Sequence, residues 1–324
     1  MTLPFIIATG DPAGIGPEIS VRAAMEVGAP AVLVGDAERL TQRVGELGAE
    51  ARPWDGGELA GIGVVHAATW SDALIHHHSP SEAGGRAQLA ALDRAIDIVS
   101  AGKGAALVTA PTSKEAITLS GCVFTGQTEH LAARAGLERD AVTMLFLGPR
   151  LRVGLVTTHL SVRDAARAIT PKRVRRSVLH LEEAVARLLG RPASMVVSGL
   201  NPHAGESGLF GDEELTTITP SLEALRLEEP DLGSRLHGPT PAESALRYAA
   251  EGRYDCVLTM IHDQATIASK LLDWGQAVNV TWGLPFLRTS VDHGTAYDAA
   301  RSGSADPEGM CSALRMAQRL CQKG

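Results

Sequence analysis

The chain has 324 residues, 44% apolar and 21% charged, so it is long enough for one large or two ordinary folded domains and is unlike a disordered polymer. Its formal charge of −7 and pI near 5.9, without a basic block, argue against a nucleic-acid surface. No apolar run reaches about 18 residues and the first residues lack a basic leader, which predicts a cytoplasmic protein without a membrane span.

Strands and helices alternate along the chain. Short apolar runs predict buried strands, and the segments between them carry apolar residues at helical spacing. The predicted strands are Leu3–Thr9, Ala31–Val34, Ala105–Thr109, Val142–Leu147, Arg152–Thr157, Ser194–Val197, Cys256–Ile261 and Ala277–Thr281. The predicted helices start at GDPAGIGPE and then cover Asp36–Leu47, Gly84–Ala101, Phe124–Ala135, Pro171–Gly190, Asp212–Leu225, Pro241–Glu251 and Pro307–Gln322. A loose stretch rich in glycine and proline follows the second helix.

Repeated β-α units of this length predict an α/β protein with mostly parallel sheets covered by helices on both faces, divided into two domains. The exception is the pair of strands on either side of Gly148 and Pro149, which are close enough along the chain to form an antiparallel hairpin.

Three histidines share one context. His159, His203 and His262 each lie just past the carboxyl end of an apolar strand, where open α/β sheets place their ligands. Three neutral imidazoles can hold a divalent metal and leave positions open for substrate oxygens. The alternative is three histidines that separately orient loops. A metal hydrolase would use the same arrangement.

A second group of residues suits an anion. Lys270 and Arg288 are cations expected on the carboxyl-end side of the sheet, Asn279 adds an amide, and Thr128 supplies a hydroxyl at a helix start. Ordinary salt bridges are the alternative for the two cations. The glycine turn GDPAGIG partly mimics a dinucleotide-binding loop, but close packing of strand on helix explains its glycines equally well.

Seven ordered motifs cover nearly the whole chain: GDPAGIGPE, TAPTSK, TGQTEHLA, LRVGLVTTHLSV, GLNPHAGESGLFGDEE, MIHDQATIASK and NVTWGLPFLRTSVDHGTAYDAA. In this order they resemble the 4-hydroxythreonine-4-phosphate dehydrogenase family of pyridoxal phosphate biosynthesis. The resemblance implies an isocitrate/isopropylmalate dehydrogenase-like fold. By analogy with that fold, residues 1–130 together with 285–324 form one domain, and residues 131–284 form a second domain that carries the metal histidines.

The resemblance also implies the site. The family's metal ligands fall on His159, His203 and His262, with the histidine of the HDQ motif supplied by the partner subunit of a homodimer whose active site lies at the interface. The metal would be zinc, cobalt or magnesium, and the cofactor NAD or NADP, placed near the GLPFLRTSVDHGTA region. Contacts to a phosphorylated substrate carry over to these positions: Gln127, Thr128, Lys270, Asn279 and Arg288. Asp263 and Lys114 are candidates for the proton path.

Two positions depart from the family pattern. The family reads GHTE where this chain has Gln127, so a substrate-contacting histidine is replaced by an amide that cannot carry a proton. Glu243 stands where the family usually has an aspartate. Both changes concern substrate choice and leave the three histidines intact.

The resulting expectation is NAD(P)-dependent, metal-assisted oxidation of 4-(phosphooxy)-L-threonine to 2-amino-3-oxo-4-(phosphooxy)butanoate, which decarboxylates to 3-amino-2-oxopropyl phosphate. The same chemistry on 4-phosphothreonate, 4-phosphoerythronate or a cis-dihydrodiol dicarboxylate is the alternative. Acyl or phosphoryl transfer with coenzyme A is a further one, since phosphate acetyltransferases resemble this fold.

Overall fold

The computed structural model describes residues 3–138 and 140–322, which divide into two compact units. Unit 1 comprises residues 3–138 and 284–322, and unit 2 comprises residues 140–283. Both are mixed α/β structures, as the alternation of strands and helices predicts. Within the described ranges, no helix combines the length and apolar content needed to cross a membrane.

Unit 1 is built on six parallel strands in the order β3-β4-β2-β1-β5-β12. The strands are β1 (Phe5–Ala8), β2 (Ala31–Gly35), β3 (Ala51–Pro53), β4 (Ile62–His66), β5 (Ala106–Thr109) and β12 (Arg288–Ser290). The helices are α1 (Gly16–Val27), α2 (Ala37–Glu46), α3 (Asp72–Ile75), α4 (Glu82–Ser100), α5 (Lys114–Leu119), α6 (Gln127–Arg134), α13 (Tyr297–Ser302) and α14 (Glu308–Gln322). All residues of β1, β2 and β5 are buried, which explains why these strands read as continuous apolar runs.

Unit 2 contains a sheet in the order β11-β6-β7-β10-β8-β9. The strands are β6 (Thr143–Leu147), β7 (Arg152–Leu155), β8 (Met195–Ser198), β9 (Leu236–Thr240), β10 (Cys256–Thr259) and β11 (Val278–Trp282). The helices are α7 (Val162–Ala168), α8 (Pro171–Leu189), α9 (Thr219–Glu228), α10 (Pro230–Gly233), α11 (Ala242–Ala250) and α12 (His262–Leu272), with a 3₁₀ segment at Pro202–Gly208 and a π turn at Glu214–Ile218. β7, β10, β8 and β9 are parallel.

The predicted hairpin is confirmed, because β6 pairs antiparallel with β7. β11 also pairs antiparallel with β6. The stretch predicted to be loose holds β3 and β4. β3 is short and contains an arginine and a proline, which hide the strand pattern, whereas β4 is a buried apolar run that was missed among the glycines around it. Arg288 is the first residue of β12, a strand that was not predicted because its three residues are too short to be seen as an apolar run, and its guanidinium reaches Thr109 at the carboxyl end of β5.

Local signals position the helices. Asp36 accepts hydrogen bonds from the backbone N–H groups of Glu38 and Arg39 and so begins α2. Thr170 caps α8, Pro171 occupies its first turn, and Gly190 ends it with a φ of 73°. Because these signals act within a few residues, the sequence predicts the long helices to within one or two positions.

Candidate active site

The structure brings the three predicted metal histidines to one edge of the unit 2 sheet. His159 follows β7, His203 follows β8, and His262 is the first residue of α12 after β10. Because β7, β10 and β8 are adjacent and parallel, their carboxyl ends lie side by side. The expectation about the strand ends is therefore confirmed.

His159 and His262 are close neighbours within the chain, with ring centroids 5.5 Å apart. Nδ1 of His262 donates to Oδ1 of Asp263 at 2.7 Å, which leaves Nε2 as the nitrogen with a lone pair. His203 packs instead near Phe210, with ring centroids 6.1 Å apart. In the part of the chain that the structure describes, no three histidine, cysteine or carboxylate side chains form a group that could hold a metal ion.

The donor set still fits a divalent metal in part. Two imidazoles at this separation can share one ion at bonds of about 2.1 Å, and a carboxylate on the far nitrogen is the usual companion of a ligating histidine. A third donor would have to come from His203 after a change in its segment, or from another copy of the chain.

The segment that carries His203 has an unusual backbone. His203, Ala204, Glu206 and Ser207 all have φ between 44° and 55°, and Gly205 has a φ of 81°. This is a left-handed turn built largely from residues other than glycine, and such L-residues avoid that conformation. Backbone strain of this kind persists only where the surroundings hold it, and it concentrates at functional sites.

Glu214 is the residue that holds the left-handed turn. Its side chain is 2% exposed, and Oε1 accepts hydrogen bonds from the backbone N–H groups of Leu200 at 2.7 Å and Asn201 at 2.8 Å. Oε2 accepts a further bond from the side-chain amide of Asn201 at 2.9 Å. A side chain at Gly205 would put its Cβ 2.8 Å from Oε2, so the turn closes directly on the carboxylate.

Gln264, two residues after His262, links the histidine segments. Its Oε1 accepts from the backbone N–H groups of Met260 and Ile261, and its Nε2 donates to the carbonyl oxygen of Gly199 at 3.1 Å. Sequence reasoning missed both Gln264 and Glu214, although each lies inside a quoted motif. A polar residue whose role is to hydrogen-bond to buried backbone N–H and C=O groups leaves no signal in the hydrophobic pattern.

The other predicted unit 2 residues are Lys270 and Asn279. Lys270 is in the last turn of α12, with Nζ 6.0 Å from the centre of the Trp274 ring. Asn279 lies in β11 opposite Phe146, and its side-chain oxygen is buried without a partner among the described residues. An orphaned buried acceptor is costly, so it is a candidate contact for a substrate donor.

In unit 1, Gln127 is the predicted substrate residue that contacts Arg288. Gln127 and Thr128 are the first two residues of α6, and Gln127 Oε1 accepts a hydrogen bond from Nη2 of Arg288 at 2.6 Å. Lys114 lies at the start of α5, and its Cε is 3.6 Å from where a Cβ on Gly126 would be. Burial lowers the pKa of Arg288 to about 9, so the guanidinium is charged at neutral pH.

The glycine turn that precedes α1 is held by a buried network. Asp11 accepts hydrogen bonds from Tyr297 Oη at 2.8 Å, from Gln88 Nε2 at 3.0 Å and from the backbone N–H of Ala13. Burial raises the pKa of Asp11, and burial likewise raises that of Tyr297 to about 12. A Cβ at Gly16 would be 2.3 Å from the carbonyl oxygen of Thr9, so close packing requires glycine there.

A cavity of about 650 Å³ lies beside this turn in unit 1. Its walls come from the turn and α1, from α2, and from the segment that follows the DHGTA motif. The lining residues include Gly14, Ile15, Arg22, Arg43, Ala299 and Arg301. A concave site of this size with a few charged groups at its rim suits a nucleotide-sized ligand.

Comparison with solved structures places the chain among dehydrogenases of mixed α/β fold. The crystal structure of 4-hydroxythreonine-4-phosphate dehydrogenase from Klebsiella pneumoniae superposes with a TM-score of 0.83 at 34% identity, covering 99% of this chain and 100% of that one. A terephthalate 1,2-cis-dihydrodiol dehydrogenase from Burkholderia xenovorans LB400 gives 0.71 at 30% identity, with 98% of each chain covered.

The sequence comparison is more specific. The family model of the pyridoxal phosphate biosynthetic protein PdxA matches residues 27–317. A 4-hydroxythreonine-4-phosphate dehydrogenase from Burkholderia vietnamiensis is 40% identical over 99% of this chain and 97% of its own length. The chain therefore belongs to the PdxA family, as the seven motifs predict.

Proposed function

We propose that this protein oxidises 4-(phosphooxy)-L-threonine to 2-amino-3-oxo-4-(phosphooxy)butanoate with NAD or NADP and a divalent metal. The full-length likeness to 4-hydroxythreonine-4-phosphate dehydrogenases is the observation that carries the proposal. The product is a β-keto acid, which loses carbon dioxide readily to give 3-amino-2-oxopropyl phosphate. The two compact units are proposed to be the two domains expected for the family.

The phosphate of the substrate is assigned to Lys270 and Arg288. Arginine offers a planar fork of donors to phosphate and lysine a point charge, and Thr128 adds a hydroxyl at the start of α6, where backbone N–H groups also favour an anion. Asn279 offers its unpaired side-chain oxygen to a donor of the substrate.

The reacting end is assigned to the histidines. His159, His203 and His262 would hold zinc, cobalt or magnesium, which lowers the pKa of the substrate hydroxyl when bound. Asp263 keeps the His262 ring in the tautomer that presents Nε2. Asp263 and Lys114 are the candidates for the path that removes the alcohol proton.

The cofactor is assigned to the unit 1 cavity. Its walls combine the glycine turn with the segment after the DHGTA motif, and its volume suits a nucleotide-sized ligand. A nicotinamide cofactor bound there would supply the hydride acceptor for the carbinol carbon of the substrate.

The active form is proposed to be a homodimer. Helix α12, which begins with His262, exposes Ile267 by 59% and Leu271 by 80%, and Trp274 just after it is 78% exposed. Ile267 and Leu271 are four residues apart and so lie on one face of the helix. Large exposed apolar side chains grouped in this way favour contact with another protein surface, here a second copy.

The test is NADH formation followed by absorbance, with purified protein, a divalent metal, and a panel of 4-hydroxythreonine-4-phosphate, 4-phosphothreonate, 4-phosphoerythronate and a cis-dihydrodiol dicarboxylate. Turnover of the first compound is expected. The likeness to the dihydrodiol dehydrogenase favours the dicarboxylate as the second candidate substrate. Turnover of that compound alone would overturn the phosphate assignment.

Variants test the phosphate contacts. Lys270→Ala and Arg288→Ala are expected chiefly to raise KM for the phosphorylated substrate, with little effect on turnover of a dephosphorylated analogue. An unchanged KM in both variants would contradict the assignment.

A further inference from the structure

Both the nitrogen and the oxygen of the Gln127 side-chain amide form hydrogen bonds with other groups of the protein. Nε2 donates to the carbonyl oxygen of Ala110 at 3.1 Å and to Oγ1 of Thr112 at 3.0 Å, which uses both N–H bonds. Oε1 accepts the 2.6 Å hydrogen bond from Nη2 of Arg288. The amide therefore bridges the loop after β5 to the guanidinium, and it has no N–H left to offer a ligand.

The guanidinium of Arg288 is correspondingly fixed. Its residue is 2% exposed, and Oγ1 of Thr109 accepts from Nε at 3.2 Å and from Nη2 at 2.9 Å. Thr109 is fully buried at the end of β5. Thr109 on one side and Gln127 on another thus both help to hold the guanidinium plane.

We propose that Gln127 is a positioning residue for Arg288, holding its guanidinium for the anionic group of the substrate, and not a residue that contacts the substrate. This inference depends on the proposed function, in which Arg288 binds phosphate. The glutamine that replaces the family's histidine then has a physical role: its amide orients Arg288, and Arg288 binds the substrate.

The chemistry of the amide explains why glutamine suits this place. Arginine only donates, so its partner must accept, and Gln127 accepts on one atom while it donates on the other. An imidazole could accept from Arg288 only when neutral. Once protonated it would both lose the acceptor and repel the guanidinium. The other charged groups near the position are Glu129 on α6 and Lys114 on α5.

A double-mutant cycle tests the proposal. Gln127→Met is expected to raise KM for 4-hydroxythreonine-4-phosphate about fivefold in the presence of Arg288, and by less than twofold in an Arg288→Ala background. A full fivefold effect in that background would overturn the proposal, because it would mean that Gln127 contacts the substrate directly. Gln322→Met, an exposed glutamine at the end of α14, is the matched control and should leave KM unchanged.

Measurement of KM over a range of pH distinguishes a positioning role of Gln127 from a merely structural one, which would not make KM depend on pH. The ratio of KM in Gln127→His to KM in the wild type is expected to rise several-fold as pH falls from about 8 to about 5.5, through the ordinary histidine pKa. Taking the ratio at each pH cancels the titration of the substrate phosphate. A ratio that stays constant would overturn the proposal, since Arg288 would then be insensitive to its partner.

The failure of the proposed activity is distinguishable from the failure of this inference. If the wild type forms no NADH with the phosphorylated substrate, the proposed activity is wrong. The double-mutant cycle is then measured on the Kd of inorganic phosphate by calorimetry. The coupling between Gln127 and Arg288 is expected there too. Independent effects of the two substitutions, or no phosphate binding by the wild type, would overturn the inference.

Discussion

Replacing Glu214 by alanine removes the carboxylate that the left-handed turn closes on. The variant leaves the backbone N–H groups of Leu200 and Asn201 without their acceptor, and each buried unpaired donor costs roughly 1–3 kcal/mol, so the total is about 2–6 kcal/mol. The backbone strain of the turn, which these hydrogen bonds offset, is of the same order. Four left-handed residues with side chains, among them His203, cost about 1–2 kcal/mol each, or about 4–8 kcal/mol together.

Because the two quantities are comparable, the turn should not survive without the carboxylate. Loss of even 2 kcal/mol makes local opening about 30-fold more frequent, since every 1.4 kcal/mol is a factor of ten. Hydrogen exchange measured by mass spectrometry should therefore show at least that loss of protection at residues 200–205. The melting temperature should change less, because the segment can open without unfolding unit 2.

Two further variants complete the experiment. Glu214→Gln keeps one acceptor oxygen and should retain part of the protection, whereas Asp212→Ala, an exposed neighbour, should retain all of it. Unchanged exchange in Glu214→Ala would refute the reasoning that this carboxylate holds the turn that carries His203.

Three other predictions follow from the same structure. His262→Ala should abolish metal retention in elemental analysis, whereas His237→Ala should not; full metal content in the former would exclude a shared histidine site. Leu271→Asp should convert the proposed homodimer to monomer in light scattering, because a charge would be buried in an apolar contact; an unchanged mass would place the interface elsewhere. Arg191 lowers the pKa of Asp255 to about 2, so the stabilisation from this carboxylate is present above about pH 4 and lost as pH falls through 2. Asp255→Asn should accordingly lower the free energy of unfolding at pH 7 by about 1 kcal/mol, allowing for solvent screening, and by nothing near pH 2; an equal loss at both pH values would contradict this.

The sequence predicts the elements that depend on short-range patterns. Buried strands such as β1 and β5 and capped helices such as α8 show their period and their end signals within a few residues. β12 was missed because its three residues owe their strand conformation to pairing with β5, far away in the chain. Strand pairing over such a separation is not encoded in any local period.

The candidate site divides in the same way. The three histidines are predictable because each follows an apolar run, which places it at a strand end. The left-handed turn around His203 is not, since only Gly205 among its residues favours that backbone, and the buried carboxylate of Glu214 that holds it lies several residues further on. The internal engagement of Gln127 is equally invisible in sequence, because an amide in a GQTE motif gives no sign of which atoms it bonds.

Unit 1 is assembled from two distant parts of the chain. β12 pairs with β5, Thr289 donates to the carbonyl oxygen of Ala313 in α14, and α14 in turn packs on α1. On the ribosome, residues 3–138 therefore emerge with the edge of β5 unpaired and part of α1 uncovered, and they stay so until residues 284–322 follow. The contiguous unit 2 is complete once residue 283 has emerged, before α14 follows. The half of the protein that is synthesised first is thus the last to finish folding, and until then its open strand edge is exposed to pairing with other chains.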